Sequence, residues 1–140
     1  MLVLALVPAP VAHADLKVAL AERDLGRRSK LALDNASSAL KAARAAFEKG
    51  ETEKMTAAIE EVQESVDLAY DSLKSTGKDP RKSPKWFKPA EIHTRDLLKK
   101  VETLQYDLNF QDRPMMEKVK ARVQQVHDEL LTGLMEGKKK

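Results

Sequence analysis

Four segments of this chain repeat one spacing of apolar residues, in which the step between neighbours is three or four positions. The four sets are Leu33, Ala36, Leu40, Ala43 and Phe47; Met55, Ile59, Val62, Val66, Ala69 and Leu73; Leu97, Val101, Leu104 and Leu108; and Val119, Val123, Val126 and Leu130. This spacing places each set on one stripe of an α-helix. Because one shared core can bury all four stripes, the sequence predicts an all-α fold, an antiparallel up-down four-helix bundle.

Glycine residues delimit the first two predicted helices. A short earlier helical segment is expected to break at Asp24, which is a suitable N-cap residue. The first long helix is then expected to begin near Arg27. Gly50 ends this helix, and Thr52 is expected to cap a second helix that stops at Gly77. The connection between the two is short, which predicts an antiparallel hairpin.

Proline residues mark the second half of the chain. Residues 78–88 form the one long connection, and Pro89 fits the first turn of a third helix that ends near Asn109. Asp112 is expected to cap a fourth helix that runs to about Glu136. The third and fourth helices are again joined by a short turn, so the bundle is predicted to consist of two helical hairpins.

The beginning of the chain is typical of an export signal. Residues 1–7 are almost wholly apolar, and Ala12 and Ala14 supply the small side chains that signal peptidase accepts, so we expect cleavage before Asp15. No Lys or Arg precedes the apolar run, which we attribute to a signal truncated at its N-terminus. An apolar tail that packs on the protein or anchors it is the alternative. The segment is too short to span a membrane, which takes about 20 apolar residues.

Residues 15–140 are therefore expected to form a single exported domain, periplasmic or secreted. The chain contains 25 basic and 22 acidic residues, a net charge of +3, which is too small an excess for a dedicated nucleic-acid-binding protein. It has no cysteine, so disulfides, thiolate metal sites and cysteine nucleophiles are excluded.

One short segment resembles the inter-helix turn of a tetratricopeptide repeat. The residues that carry this resemblance within 43–62 are Phe47, Gly50, Met55, Ala58 and Ile59. The chain holds no second copy of the segment, and such repeats are stable only when several are stacked. We interpret the resemblance as the general chemistry of a helical hairpin.

The long connection is the best candidate for a functional surface. Five cations flank two aromatic residues there, in the order Lys78, Arg81, Lys82, Lys85, Trp86, Phe87 and Lys88. Aromatic rings between cations suit an anionic polymer, a membrane surface or a peptide. In the alternative interpretation the two rings close the open end of the bundle and only the lysines face water.

An acidic stripe on the second helix is the other candidate surface, formed by Glu60, Glu64, Asp67 and Asp71. Like charges at this spacing repel each other, so an opposing charge is expected nearby. A basic partner or the basic connection of a second copy would supply it, whereas a plain solvated face needs neither. The looped arrangement of ligands typical of a calcium site is absent from the sequence.

His93 and His127 are weak candidates for a metal site, with Asp96 and Asp128 close to them in sequence. The spacing places the two histidines on different sides of the predicted pair of helices, which argues against a shared ion. The general plan also resembles that of b-type cytochrome bundles, but the first mature helix lacks the Met that such a haem site needs. No metal or cofactor is predicted.

The sequence also lacks the motifs of common enzymes. It contains no Gly-rich phosphate loop and no Gly-x-Ser-x-Gly elbow, and its paired carboxylates lie on solvated helix faces. We therefore expect a non-enzymatic protein that acts through contact with another protein or an envelope polyanion, self-association being a further possibility. The alternative is a periplasmic bundle that carries a metal or a small ligand.

Overall fold

Five α-helices make up the part of the chain that the computed structural model describes, residues 16–136. They are α1 (Leu16–Ala21), α2 (Leu25–Glu48), α3 (Thr52–Ser75), α4 (Pro84–Asp107) and α5 (Arg113–Glu136). No β-strand occurs in this part, and the predicted all-α class is confirmed. The predicted signal segment, residues 1–14, lies outside the described residues. Within residues 16–136, no helix has both the length and the apolar character needed to cross a bilayer.

The break between α1 and α2 falls where the sequence predicted it. The Asp24 carboxylate accepts a hydrogen bond from the Arg27 backbone N–H at 2.9 Å, so Asp24 is the N-cap of α2. Helix α2 nevertheless begins at Leu25 rather than at Arg27, which places Gly26 inside its first turn. There Gly26 lies directly against the Trp86 ring, and a Cβ atom at this position would overlap the ring.

The turn between α2 and α3 is closed by a left-handed glycine. Gly50 has a φ of 71°, and the Glu51 N–H donates to the Ala46 carbonyl at 2.8 Å, which satisfies one of the last carbonyls of α2. The prediction that Thr52 caps α3 is wrong, because Glu51 is the N-cap residue and makes no side-chain capping bond. The Glu51 carbonyl already accepts the Met55 N–H at 3.0 Å, so the helix resumes directly after the turn.

Helix α4 begins earlier than the sequence predicted. It starts at Pro84, so Pro89 lies inside the helix instead of in its first turn, and the long connection shrinks to residues 76–83. A proline inside a helix removes one backbone hydrogen bond. Packing compensates for this loss, because the residues before Pro89 include Phe87, which is only 4% exposed in the core.

The predicted stripes form the core of the bundle. Every residue of the four stripes is buried except Phe47, which is partly buried and packs against the others. The centre is formed by valines on three helices, and Val62, Val66, Val101 and Val123 are each 0% exposed. The small residues of α2 allow close packing, since its alanines along this face are almost fully buried.

The two hairpins, α2–α3 and α4–α5, pack side by side with parallel neighbours. Helix α2 runs alongside α4 in the same direction, because residue numbers increase on both helices from one contact to the next. Gly26 contacts Trp86, and further along the Ser37 hydroxyl lies 2.8 Å from the His93 ring. Helices α3 and α5 are also neighbours. The antiparallel arrangement thus holds within each hairpin, and residues 76–83 cross the end of the bundle from α3 to α4.

Replacing Gly26 with alanine tests the contact between α2 and Trp86. Overpacking a closed contact costs about 1–3 kcal/mol, whereas the better helix propensity of alanine returns at most about 1 kcal/mol. We expect Gly26→Ala to lower the free energy of unfolding by about 1 kcal/mol and to red-shift the emission of Trp86. Ser38→Ala, at an exposed position of α2, is the control and should leave the emission unchanged. Unchanged emission in Gly26→Ala would contradict the contact.

A double-mutant cycle tests the one polar pair buried between α2 and α3. The Asn35 amide donates to the Ser65 hydroxyl at 2.8 Å, and the two residues are 7% and 0% exposed. Ser65→Ala leaves a buried amide donor unpaired, so we expect it to cost about 1–3 kcal/mol in urea denaturation. The double variant Asn35→Leu/Ser65→Ala should recover most of that loss, because no unpaired polar group then remains. If the two substitutions change the free energy of unfolding additively, the hydrogen bond between Asn35 and Ser65 makes no specific contribution to stability.

Candidate functional site

A groove runs along the surface where α2 and α4 lie side by side, and we call it the basic groove. Its outer compartment has a volume of about 700 Å³ and is lined mainly by α4, from Lys85 to Lys100, with Ser37 from α2. Its inner compartment, of about 280 Å³, lies between the beginnings of the same two helices. The two compartments share Lys85, Pro89 and His93, so they form one continuous surface.

The floor of the basic groove is apolar. Pro89 and Ile92 line the outer compartment as exposed residues, with Ile92 41% exposed, and Leu97 lies buried beneath them. Leu33 and Trp86 line the inner compartment. Leu33 is buried by the bundle, so the apolar surface that the groove leaves open comes from Pro89, Ile92 and the half-buried Trp86.

The rim of the basic groove carries an excess of positive charge. Lys85, Lys88 and Lys100 line the outer compartment with Asp96 as its one carboxylate. Arg27 and Lys30 line the inner compartment, which has no carboxylate among its lining residues. Among the ion pairs formed within residues 16–136, none involves Lys30, Lys85, Lys88 or Lys100. These ammonium groups are thus available to an anion from outside the chain.

His93 sits at the junction of the two compartments as a neutral ring. Its Nε2 lies 2.8 Å from the Ser37 hydroxyl, and its Nδ1 lies 4.0 Å from the Asp34 carboxylate. Burial is the main cause that lowers the pKa of His93 below its ordinary value of 6.5; Asp34 opposes the shift, Lys100 adds to it and Asp96 opposes it. A neutral imidazole can lie among cations without adding to their repulsion.

The structure separates the two aromatic residues of the predicted basic connection. Phe87 is buried in the core, so it is not available to a partner, and the interpretation of the rings as a plug applies to Phe87. Trp86 is half-buried against Gly26 and forms a wall of the inner compartment. The Lys78 ammonium lies 4.8 Å from the centre of the Trp86 ring, a cation–π contact.

The cations of the predicted connection also differ in position, since some line the basic groove and others lie outside it. Arg81 donates to the Glu136 carbonyl at 3.4 Å, which holds the connection to the end of α5, and Lys82 is exposed outside the basic groove. Of the five predicted cations, only Lys85 and Lys88 line the basic groove. Sequence reasoning missed Arg27, Lys30 and Lys100, because nothing in the sequence indicates that α2 and α4 lie side by side.

The acidic stripe of α3 meets cations of its own chain. Arg122 of α5 donates a short hydrogen bond to the Asp67 carboxylate, which raises the pKa of Arg122. Lys118 shares a shallow depression with Glu60, Glu64 and Asp67, and Asp71 pairs with Lys74 at 3.6 Å. The opposing charge that the stripe was expected to need is therefore supplied within the chain, by Arg122 and Lys118 of α5 and by Lys74 of α3 itself.

The two predicted histidines have different surroundings. His127 Nε2 lies 3.3 Å from a Glu91 oxygen, whereas His93 faces Ser37 and Asp34 on α2. Glu91 also pairs with Arg95 at 3.2 Å. In the part of the chain that the structure describes, no group of three or more His, Asp or Glu side chains is placed to hold a metal ion.

Acid should destabilise the protein through His93. The unfolded chain binds a proton on this residue near pH 6.5, while the folded protein binds it only at lower pH. Stability is therefore expected to fall as the pH drops below about 6.5, and His93→Gln should remove part of that fall. Urea denaturation of both proteins between about pH 7.5 and about pH 5.5 measures the difference. An equal loss of stability in both proteins would contradict the lowered pKa.

Comparisons with known proteins assign no family. No protein-family model, no curated protein and no solved structure matches the chain. The functional interpretation therefore depends on the residues of the basic groove and their geometry.

Proposed function

We propose that this chain is an exported, non-enzymatic protein that acts by binding an anionic partner in the basic groove. The observation that carries the proposal is the set of lysines on its rim, Lys30, Lys85, Lys88 and Lys100, which form no ion pair within residues 16–136. Export is inferred from residues 1–14, and the absence of enzyme motifs from the sequence supports a binding role.

The difference between the two sides of the bundle supports this location. Along α3 and α5, acidic and basic side chains neutralise each other through pairs such as Asp67 with Arg122. Along α2 and α4, the charge is mainly positive and surrounds an apolar floor. Clustered charge of one sign attracts and orients a partner of the opposite sign. On the acidic stripe, Asp67 and Asp71 are paired with cations of the same chain, which leaves Glu60 and Glu64 without an ion pair within residues 16–136.

The volume of the basic groove favours a second candidate function, the carriage of a small ligand. Its outer compartment of about 700 Å³ lies within the usual range for ligand pockets, and its walls combine apolar surface with a few polar groups. A metal is not favoured as that ligand, since the described residues include no suitable group of side chains. Both functions place an anion at the same lysines.

Binding of a polyanion tests the proposed function directly. Dextran sulfate added to the purified protein should change the emission of Trp86, which lines the basic groove, and the binding should weaken as salt is added. We expect Lys85→Glu/Lys88→Glu to lower the affinity by about tenfold or more, because two attractive charges become repulsive.

A charge-matched variant controls for the change in net charge. Lys49→Glu/Lys54→Glu alters the net charge equally, but both residues lie at the turn between α2 and α3, outside the basic groove. This control should bind nearly as well as the parent protein. Equal losses in the two double variants would refute a localised site, and an acidic protein that binds where dextran sulfate does not would identify a protein partner.

A further inference from the structure

One buried hydroxyl in the basic groove has no hydrogen-bond partner. Ser29 is 2% exposed, and its Oγ forms no hydrogen bond in the structure. It lines the inner compartment together with Arg27, Lys30 and Lys85. Buried polar atoms without partners are rare in folded proteins, and an unsatisfied one often marks a group that a ligand completes. An anionic oxygen placed between these residues would accept the hydroxyl hydrogen and face the unpaired Lys30 and Lys85, together with Arg27, which also lies 3.9 Å from the Glu22 carboxylate.

The outer compartment suits an apolar part of a ligand, in contrast to the anionic group that suits the inner compartment. Pro89 and Ile92 form an open apolar floor on which a polyanion has no group to place. An alkyl chain would bury this surface, and the lysine stems on either side can cover the chain with methylene groups while their ammonium groups stay in water. The distance along α4 from Lys85 to Lys100 is about 22 Å at the usual helical rise, so the surface suits a linear chain.

We propose that the anionic partner is a single-chain amphiphile with a carboxylate headgroup, bound as a monomer. This inference rests on the anion-binding function proposed above and names the partner. The headgroup lies in the inner compartment against Ser29, Arg27 and Lys30, and the chain lies along Ile92 in the outer compartment. Because a headgroup at Ser29 is enclosed between two helices, the whole molecule has to leave a bilayer in order to bind.

A chain-length series tests the apolar half of the proposal. Octanoate, decanoate and laurate are titrated into the full protein below their micellar concentrations, with calorimetry and Trp86 emission as readouts. We expect one site per chain and an affinity that rises by up to about fourfold for each added methylene. Dodecanol, which has the same chain as laurate without the charge, should bind about tenfold more weakly.

Two matched substitutions separate the chain site from a general apolar effect. Ile92 is 41% exposed and Leu131 is 36% exposed on α5, outside the basic groove. Ile92→Asn should lower laurate affinity by about tenfold. Leu131→Asn should leave laurate affinity unchanged.

Ser29→Ala tests the headgroup position with two readouts of opposite sign. Removal of an unpaired buried hydroxyl should raise the melting temperature of the free protein, since the cost of burying it disappears. The same change should weaken laurate binding by about tenfold or more, because a hydrogen bond to a charged group is lost. A purely structural serine would lower stability without selectively affecting laurate.

The possible outcomes distinguish this inference from the function on which it rests. Dextran sulfate binding without any dependence of affinity on chain length would overturn the amphiphile and leave the anion-binding function standing. If neither dextran sulfate nor laurate binds, both proposals fail. Flotation with phosphatidylglycerol vesicles, without binding of monomeric laurate, would assign the basic groove to a membrane surface and overturn the monomeric ligand.

Discussion

The parallel packing of α2 against α4 is the constraint on which the other features of this molecule depend. It follows from the connection at residues 76–83, which crosses the end of the bundle instead of joining adjacent helices. As a result the first turns of α2 and α4 meet, and Gly26 allows Trp86 to lie against the backbone of α2. The same pairing brings together cations that are distant in sequence and leaves an apolar channel between the two helices.

The two sides on which the hairpins meet differ in how their polar and charged side chains are paired. On the side of α3 and α5, burial and a hydrogen bond to Glu129 raise the pKa of Tyr70 to about 12, and Asp67 binds Arg122. On the side of α2 and α4, a buried serine and several lysines have no partners among the described residues. The basic groove is therefore the surface on which an unpaired buried hydroxyl and unpaired lysines occur together.

Much of the fold could be predicted from the sequence, because burial of an apolar stripe depends mainly on local spacing. The four stripes, the cap at Asp24 and the turns at Gly50 and Gly77 all occupy the expected places. One error, the cap at Thr52, is local, since the helix resumes at Glu51 directly after the turn. The other concerns a feature that tertiary packing decides: Pro89 lies inside α4 because Phe87 draws the preceding turn into the core.

The candidate site was predictable only in part, for a physical reason. Lys85 and Lys88 were expected from the local run of cations, but Lys30 and Lys100 join them only through the pairing of α2 with α4. A stripe of apolar residues indicates that one face of a helix is buried, but it does not indicate which other helix covers that face. Ser29 shows the same limit, since a serine within a helix carries no sign in the sequence that its hydroxyl lacks a partner.

Pro89 has a mechanical consequence for the basic groove. Because proline has no N–H, the Lys85 carbonyl loses its usual helical donor, and the first turn of α4 is joined to the rest of the helix by fewer backbone bonds. That turn is held instead by its side chains, with Phe87 in the core and Trp86 on Gly26. The turn that forms the wall of the inner compartment is therefore anchored by two packed rings in place of one backbone hydrogen bond.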